Sequence, residues 1–423
     1  MKKLLAIFLT MALIVSPAFV CALSETTNPV AVVFPESVGF EDYDAKQKVS
    51  EENPVSEDFT ENVNDFSYLL AAKTLADMKE NVTFSPLSLY FALALSASGA
   101  EGETREALFN LLAQEDGDDF AEQHGNFFRR LYTDDEIGRL KIANSVWLAN
   151  EFDGKEVHFN QEFLDTARSQ FYTDAFRVDF KTAEAGEQIS EWIGIHTGGQ
   201  LNPEIKTADD QIMTILNTID YQDEWIDRFN EGNTRPGMFH LASGDELEVD
   251  FMHEKTSGSF VRGKNYARAS RHLKHGSMVF ILPNEDVSIQ DLVRDEKILK
   301  ETLTGGKHSY GDLTWQIPKF DLSSDLDLAD HLKSLGLSAL FEQDADFSRM
   351  IDHLAFISEI KQQSRVAIDE NGVSAAAFTQ IDYCGAAPPS DSLDMILDRP
   401  FLFAIYGPLN TLMFVGIVEN PNP

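Results

Sequence analysis

The chain has 423 residues, and its 70 aspartates and glutamates outnumber its 34 lysines and arginines, which gives a formal net charge of −36. A surface this acidic repels nucleic-acid phosphates and anionic lipid headgroups, which argues against both as partners. Hydrophobic residues make up 43 % and charged residues 25 % of the chain, a composition typical of a globular protein.

The N-terminus has the pattern of an export signal. Two lysines precede an apolar stretch, residues 4–15, which Pro17 ends, and small residues follow at the spacing of a cleavage site. The stretch is too short to span a membrane, which takes roughly 18 apolar residues or more, and no other run in the sequence is long enough. We therefore predict a signal peptide over residues 1–22 and a secreted protein. Acylation of Cys21 is the alternative, and it is disfavoured because Val20 is larger than the residue usual at that position.

Residues 23–60 are rich in carboxylates and prolines and have no sustained apolar period. Such a composition cannot bury enough apolar surface to offset the entropy lost on ordering. We predict a disordered acidic tether here, followed by one folded domain over residues 61–423 that begins near Asn64. After removal of the signal peptide Cys384 is the single cysteine, so the fold cannot depend on an intramolecular disulfide.

Helices are predicted in the first half of this domain and strands towards its end. Ser85 and Pro86 are typical of a helix start, and the following residues, 87–98, are apolar on every side, which predicts a buried helix. Apolar runs with strand character follow at residues 212–219, 278–282, 400–406 and 412–418. This order of elements predicts an α+β fold.

The sequence carries no common catalytic signature. His272 and His275 form an H-x-x-H pair, but no third ligand is evident, so we predict no metal and no cofactor. Cys384 has a flank of glycine, alanine and proline with no positive charge to activate its thiol. We therefore predict that the protein is not an enzyme, and a hydrolase that uses Cys384 remains the alternative.

The most informative segment is residues 370–394. It begins with a turn signal at Glu370 and Gly372, and a loop-like stretch, 383–392, follows. Between them, alternate residues form one uncharged face of small side chains, as in a half-buried strand. These residues are Val373, Ala375, Ala377, Thr379 and Ile381. The segment is either a strand in one state and an exposed loop in another, or an ordinary edge strand that runs into a loop.

An ordered set of motifs in this sequence resembles the signature of the serpin family. The motifs are residues 81–88, 99–104 and 144–147, then Trp192, Asn217, Trp225, Thr234, Phe239 and Gly244, and finally residues 398–403 and 416–421. The likeness runs from about residue 62 to the end of the chain. It implies helices plus three β-sheets and an exposed reactive-centre loop.

The resemblance also implies a suicide-type inhibitor of serine proteases. In such proteins the target cleaves the loop, and the hinge then inserts into the central sheet as an extra strand with the protease still attached. Small residues suit this insertion because they enter a packed sheet without overfilling it. The hinge would consist of Glu370, Gly372, Val373, Ser374, Ala375, Ala376 and Ala377. A non-inhibitory binding or carrier protein with the same fold is the alternative.

The family's usual loop length, counted from Glu370, places the cleaved bond between Ala386 and Ala387. This loop is longer than in familiar members, so bonds at Tyr383, Cys384 and Gly385 remain alternatives. Small side chains suit elastase-like or subtilisin-like proteases, and the absence of Lys and Arg from 383–392 argues against trypsin-like ones. Cleavage after Tyr383 would point to chymotrypsin-like enzymes, and a cysteine protease is a further option. We expect a monomer.

The resemblance further implies a polar cluster beneath the central sheet that governs its opening. Ser85, Ser88 and Asn217 match this cluster, and Trp192 is assigned to the point where insertion begins. Gln362 stands where many members have a histidine. A glutamine keeps a donor and an acceptor but cannot become charged, so we expect the pH response of sheet opening to differ.

Overall fold

The computed structural model describes residues 32–357, 360–373 and 391–422. Its α-helices are α1 (Tyr43–Glu52), α2 (Glu57–Leu75), α3 (Pro86–Gly99), α4 (Gly102–Leu112), α5 (Phe120–Leu131), α6 (Gln161–Gln170), α7 (Ala183–His196), α8 (Ile289–Val293), α9 (Glu296–Thr304) and α10 (Ala329–Leu332). Helices are concentrated in the first half, as predicted.

The strands lie mainly in the second half of the chain. They are β1 (Val82–Phe84), β2 (Thr133–Asp134), β3 (Arg139–Ala149), β4 (Glu151–Phe152), β5 (Lys155–Glu156), β6 (Thr173–Val178), β7 (Met213–Glu224), β8 (Arg235–His240), β9 (Glu246–Arg262), β10 (Tyr266–His272), β11 (Ser277–Pro283), β12 (His308–Pro318), β13 (Phe320–Asp327), β14 (Lys361–Ile368), β15 (Gly372–Val373), β16 (Ser392–Ile396), β17 (Phe401–Tyr406) and β18 (Leu412–Val418).

The described strands form two large sheets and a two-stranded sheet of β4 and β5. One sheet has seven strands in the order β13-β14-β15-β7-β3-β2, with β6 paired to β3. The other has nine, in the order β1-β18-β17-β11-β10-β9-β12-β16, with β8 paired to β9. Its two halves join where the end of β9 pairs with β10 over three residue pairs. The fold is therefore α+β with several β-sheets, as predicted.

Helix α3 forms the centre of the core and confirms the helix predicted over residues 87–98. The Ser85 hydroxyl oxygen accepts a hydrogen bond from the Ser88 N–H at 3.2 Å, and Pro86 occupies the first turn, where its missing N–H costs nothing. Nearly every side chain of α3 is buried, since the helix packs against β7 of one sheet and β18 of the other. The N-terminal end of α3 is thus held directly beneath the seven-stranded sheet.

The predicted strands are also confirmed where their local pattern is strong. Residues 278–282 lie in β11, and both terminal strands, β17 and β18, are present and fully buried. The turn between them carries positive φ angles at Leu409 and Asn410. Residues 212–219 fall almost entirely within β7, which extends further, to Glu224. Continuous apolar runs therefore predicted buried strands correctly.

The prediction of a disordered tether over residues 23–60 is wrong for the part that the structure describes. Residues 43–52 form α1, and α2 begins at Glu57, with the Ser56 side chain as its N-cap, earlier than the start predicted near Asn64. Before α1, the chain lies against the domain surface. The prediction used the average composition of the segment, which does not show that a few apolar side chains anchor it. The predicted signal peptide lies outside the described residues.

Phe34 is the main anchor of this N-terminal segment. Its ring stacks against Phe128, Tyr132 and Tyr172, with ring centroids 6.5, 5.9 and 6.4 Å away. The backbone N–H of Val32 adds a hydrogen bond to Asp174 at 3.4 Å. Stacked aromatic pairs each contribute about 0.5–1.5 kcal/mol beyond their buried area. The segment therefore belongs to the folded domain.

Replacement of Phe34 with alanine should lower the free energy of unfolding by about 1–2 kcal/mol, because three ring contacts are lost at a half-buried site. Urea unfolding followed by circular dichroism measures this change. The matched control is Val33→Ala, since the neighbouring Val33 is 77 % exposed. Equal midpoints for the two variants would show that the segment adds nothing to stability.

Candidate functional site

The predicted hinge begins inside the seven-stranded sheet. Gly372 and Val373 form β15, in which Val373 pairs with Ile368 of β14 on one side and Asp223 of β7 on the other. Val373 is buried. A Cβ atom on Gly372 would lie 2.1 Å from the Asp223 carbonyl oxygen, so only glycine fits there. Most other predicted hinge and cleavage residues lie outside the described residues: Ser374, Ala375, Ala376, Ala377, Tyr383, Cys384, Gly385, Ala386 and Ala387.

Among the described residues, β7 and β14 are connected only through β15, and the space between these two strands is called the gap below. Both β7 and β14 run antiparallel to β15, so they are parallel to each other. Beyond the two residues of β15, the described parts of β7 and β14 have no backbone pairing with each other. Adjacent strands lie about 4.8 Å apart, and a strand entering here would find ladder partners on both sides.

Glu370 is fixed at the mouth of this gap. Its carboxylate accepts a hydrogen bond from the Thr234 hydroxyl at 2.7 Å and pairs with the Lys319 ammonium at 3.0 Å. Burial would raise the pKa of the Glu370 carboxyl, but the bonds from Thr234 and Lys319 outweigh it and hold the pKa below its ordinary value. Glu370 therefore stays ionised and anchors the start of the predicted hinge.

The assignment of Trp192 to the insertion point is wrong. Trp192 lies in α7, where its indole N–H donates to Asp174 at 3.0 Å and its ring packs on His196. The tryptophan at the hinge is Trp225, whose backbone N–H donates to the Asn371 carbonyl and whose indole N–H donates to the Asp369 carbonyl, both at 2.9 Å. A motif match identifies the position of a residue in the sequence. Only the folded structure shows which tryptophan lies next to the hinge.

The predicted polar cluster is brought together beneath the gap. Gln362 of β14 makes two bonds to the backbone of Ser85, accepting from its N–H and donating to its carbonyl, each at 2.8 Å. The Ser88 hydroxyl, one turn further along α3, bonds the Asn217 side-chain oxygen on β7. The N-terminus of α3 thus bridges β14 and β7 from below, through neutral groups alone.

The network extends beyond the predicted residues. Asn217 donates to the Asn144 side chain on β3 at 2.6 Å, and Asn144 donates to the Phe171 carbonyl, also at 2.6 Å. Asn144 belongs to one of the family-like motifs, but its partner could not be identified from sequence spacing. The inner face of the gap is therefore a continuous chain of amide and hydroxyl hydrogen bonds.

His275, from the H-x-x-H pair, makes a buried contact that its position in the sequence did not predict. Its two ring nitrogens lie 2.9 Å from Asp223 and 2.8 Å from Asp135, and both carboxylates are fully buried. The edge of the Phe40 ring covers the imidazole at 5.1 Å. Burial would lower the pKa of His275, but the bonds to Asp223 and Asp135 outweigh it and raise the pKa. His275 ties the turn after β10 to the strand that pairs with Val373.

The first described residues after 390 are also anchored. Arg262 pairs with Asp391 at 3.1 Å and donates to the Ser392 carbonyl, where β16 begins. A Cβ atom on Gly311 would lie 2.2 Å from the Asp391 carbonyl oxygen, so β12 needs glycine at this contact. The described helices include none long and apolar enough to cross a membrane.

Known proteins share both the sequence pattern and this fold. The family model for serpin (serine protease inhibitor) matches residues 61–421. Serpin-ZXA of Oryza sativa subsp. japonica is 29 % identical over 370 residues, which cover 81 % of this chain and 90 % of the rice protein.

Two solved structures share the fold. The native state of the thermophilic serpin tengpin matches with a TM-score of 0.78 and 24 % identity, covering 93 % of this chain and 98 % of that chain. Thyroxine-binding globulin in complex with thyroxine matches with a TM-score of 0.74 and 22 % identity, covering 86 % of this chain and all (100 %) of that chain. At these identities the likeness establishes the architecture alone.

The His275 bridge predicts how stability depends on pH. Because the folded-state pKa is raised, the bridge is complete below the unfolded pKa of about 6.5 and is lost as pH rises through the folded pKa. We expect the thermal midpoint of the wild type to fall over this range, and the midpoint of His275→Gln to change less. The loss should correspond to about 2 kcal/mol, as for hydrogen bonds between charged groups. His272→Gln, at the exposed end of β10, is the control and should follow the wild type.

Proposed function

The chain belongs to the serpin family, and from that premise we propose that it is a suicide-type inhibitor of serine proteases. Serpins are generally protease inhibitors rather than enzymes, although some are non-inhibitory. The observation that carries the proposal is the gap between β7 and β14, with Gly372 and Val373 already paired at its mouth. Cleavage of the loop before Asp391 frees the remaining hinge residues to continue this strand.

The physical basis is a gain in backbone pairing. Each residue that enters the gap finds hydrogen-bond partners on both neighbouring strands, and each such bond contributes about 0.5–1.5 kcal/mol net. The small residues Ser374, Ala375, Ala376 and Ala377 can enter without overfilling the sheet. The intact form is then a kinetic trap, and cleavage releases it into a more stable state.

The finer features of the proposal come from the loop sequence. Cleavage between Ala386 and Ala387 fits an elastase-like or subtilisin-like target with a shallow pocket, and bonds at Tyr383, Cys384 and Gly385 are the alternatives. We propose that the protein is secreted, acts as a monomer, and needs no cofactor. A non-inhibitory carrier is the second candidate, because the structurally similar thyroxine-binding globulin was solved with thyroxine bound.

One set of reactions distinguishes these functions. The protein without residues 1–22 is mixed with pancreatic elastase and, separately, with subtilisin. We expect a covalent complex that survives boiling in SDS, and a large rise in melting temperature of the cleaved protein. Mass spectrometry of the released C-terminal peptide identifies the cleaved bond. Cleavage without complex and without a rise in melting temperature would instead favour the carrier.

A proline in the hinge should convert the inhibitor into a substrate. Ala375→Pro removes an N–H from the entering strand and disrupts its ladder, so insertion is too slow to trap the protease. We expect the covalent complex to fall at least about tenfold while loop cleavage continues, measured on the same gels. Ala375→Ser, which keeps the N–H and a small side chain, should retain the complex. If Ala375→Pro still trapped its target fully, insertion of this segment would not be required.

A further inference from the structure

The N-terminal segment before α1 makes a second set of contacts, at the turn between β2 and β3. Residues 32–42 are called the strap below. The Ser37 hydroxyl donates to a backbone carbonyl of β2. The Phe40 N–H donates to the Glu136 carboxylate, whose two oxygens lie at 3.3 and 3.4 Å. These contacts flank Asp135, so the strap holds the turn on both sides of this residue.

Asp135 connects this turn to His275. One carboxylate oxygen of Asp135 accepts the N–H groups of Ile137 and Gly138, both at 2.9 Å, and the other oxygen lies 2.8 Å from His275 Nε2. The Asp135 N–H also donates to the Gly138 carbonyl at 3.1 Å. Because these bonds make the turn one hydrogen-bonded unit, movement of Asp135 away from His275 also moves the groups that hold the strap.

The ring of Phe40 gives the strap a direct contact with His275. The centroids of the phenyl ring and the imidazole are 5.1 Å apart, and the ammonium groups of Lys46 and Lys274 lie 4.7 and 5.8 Å from the phenyl centroid. Lys46 also donates to the Phe40 carbonyl at 2.7 Å. Cations close to an aromatic ring are attracted to its π-electrons. A charged His275 therefore adds to the attraction that the two lysines exert on this ring.

The charge of His275 decides whether both of its side-chain bonds can form. An imidazolium donates from both nitrogens, to Asp135 and to Asp223 of β7, whereas a neutral imidazole has a single N–H. Its other nitrogen then presents a lone pair to a buried carboxylate, which is unfavourable. The His275 backbone N–H still donates to Asp223 at 2.8 Å, so His275 stays on β7 and the bond to Asp135 is the one that is lost.

The other polar groups around His275 do not offset this loss. Tyr221 of β7 donates its hydroxyl to Asp223 at 3.1 Å, and burial raises the pKa of Tyr221 well above its ordinary value, so it keeps its proton. Glu136 adds a further acid to the turn. In the described part of the chain, the two lysines beside the Phe40 ring make no bond to Asp135, so neither replaces the donor that His275 loses.

We propose that His275 is a pH-dependent switch for the strap: its imidazolium keeps the strap docked on the turn after β2, and loss of the proton releases the end that carries Phe40. Burial would lower the pKa of His275, but the bonds to Asp223 and Asp135 outweigh it and raise the pKa. Release therefore takes place above a pH of about 6.5, as pH rises through the folded pKa. The stacked ring of Phe34 holds the other end of the strap.

Hydrogen–deuterium exchange with mass spectrometry of the protein without residues 1–22 measures docking directly. Exchange of peptides that contain residues 37–42 is compared at about pH 6 and about pH 9, each relative to an unstructured peptide at the same pH. The Phe40 N–H is bonded to Glu136 only in the docked strap, so we expect its protection to fall roughly tenfold at the higher pH. Strand β18, in the core, should remain unexchanged over the same interval.

Two variants separate the switch from a structural role. His275→Gln cannot become charged, so protection of the strap should be equal at the two pH values. Asp135→Asn keeps the oxygen that accepts from Ile137 and Gly138, and its amide N–H can donate to a neutral imidazole. The strap of Asp135→Asn should therefore stay protected at about pH 9, and this variant takes the place of His275→Gln if that one fails to fold. His272→Gln is the control and should follow the wild type.

Three results would overturn the switch. One is equal protection of the wild-type strap at both pH values, and another is a pH dependence in His275→Gln equal to that of the wild type. The third is exchange of β18 together with the strap, which would mark unfolding of the whole domain. Since the test uses neither a protease nor loop cleavage, the proposed function stands or falls separately.

Discussion

A β-sheet is held together by its backbone hydrogen bonds, and among the described residues those bonds connect β7 and β14 only through the two residues of β15. The two strands are parallel to each other. Over the rest of the described sheet, side chains and the N-terminus of α3 hold them in place. The start of the predicted hinge and the polar cluster both lie at this junction between β14 and β7.

The side chains that cross the gap are neutral, whereas the ion pairs lie on either side of it. Gln362 and Asn217 bond to the N-terminal end of α3 on the inner face, while Arg365 pairs with Asp321 and Arg139 pairs with Asp220. Breaking a hydrogen bond to a neutral amide costs about 1–3 kcal/mol, but breaking a buried ion pair would leave an uncompensated charge at a higher cost. Ion pairs therefore lie within each side of the sheet, and neutral groups connect the two sides.

The sequence correctly predicted those helices and strands that local patterns determine. The Ser85–Pro86 start of α3 and the apolar runs of β11, β17 and β18 lie where expected, because capping chemistry and hydrophobic periodicity act over a few residues. Four of the five residues assigned to the polar cluster meet through hydrogen bonds. Trp192 does not, and the contacts of Trp225 and His275 were not predicted because their partners are distant in sequence. The structure of the N-terminal segment was also not predicted. Its composition is acidic, but the contacts of one side chain, Phe34, hold it against the domain.

These contacts bear on how a less stable form persists. A contact that must break before the rate-limiting step slows that step, even if it adds little to the overall free-energy difference between the two states. In the proposed function, the bonds of Gln362 and Asn217 meet this condition if insertion moves either strand relative to α3, since they join β14 and β7 to that helix. Under the proposed function, a long-lived intact form would then need no unusually strong interaction. Hydrogen bonds between α3 and the two strands would slow the proposed insertion by adding to the barrier without changing the final state.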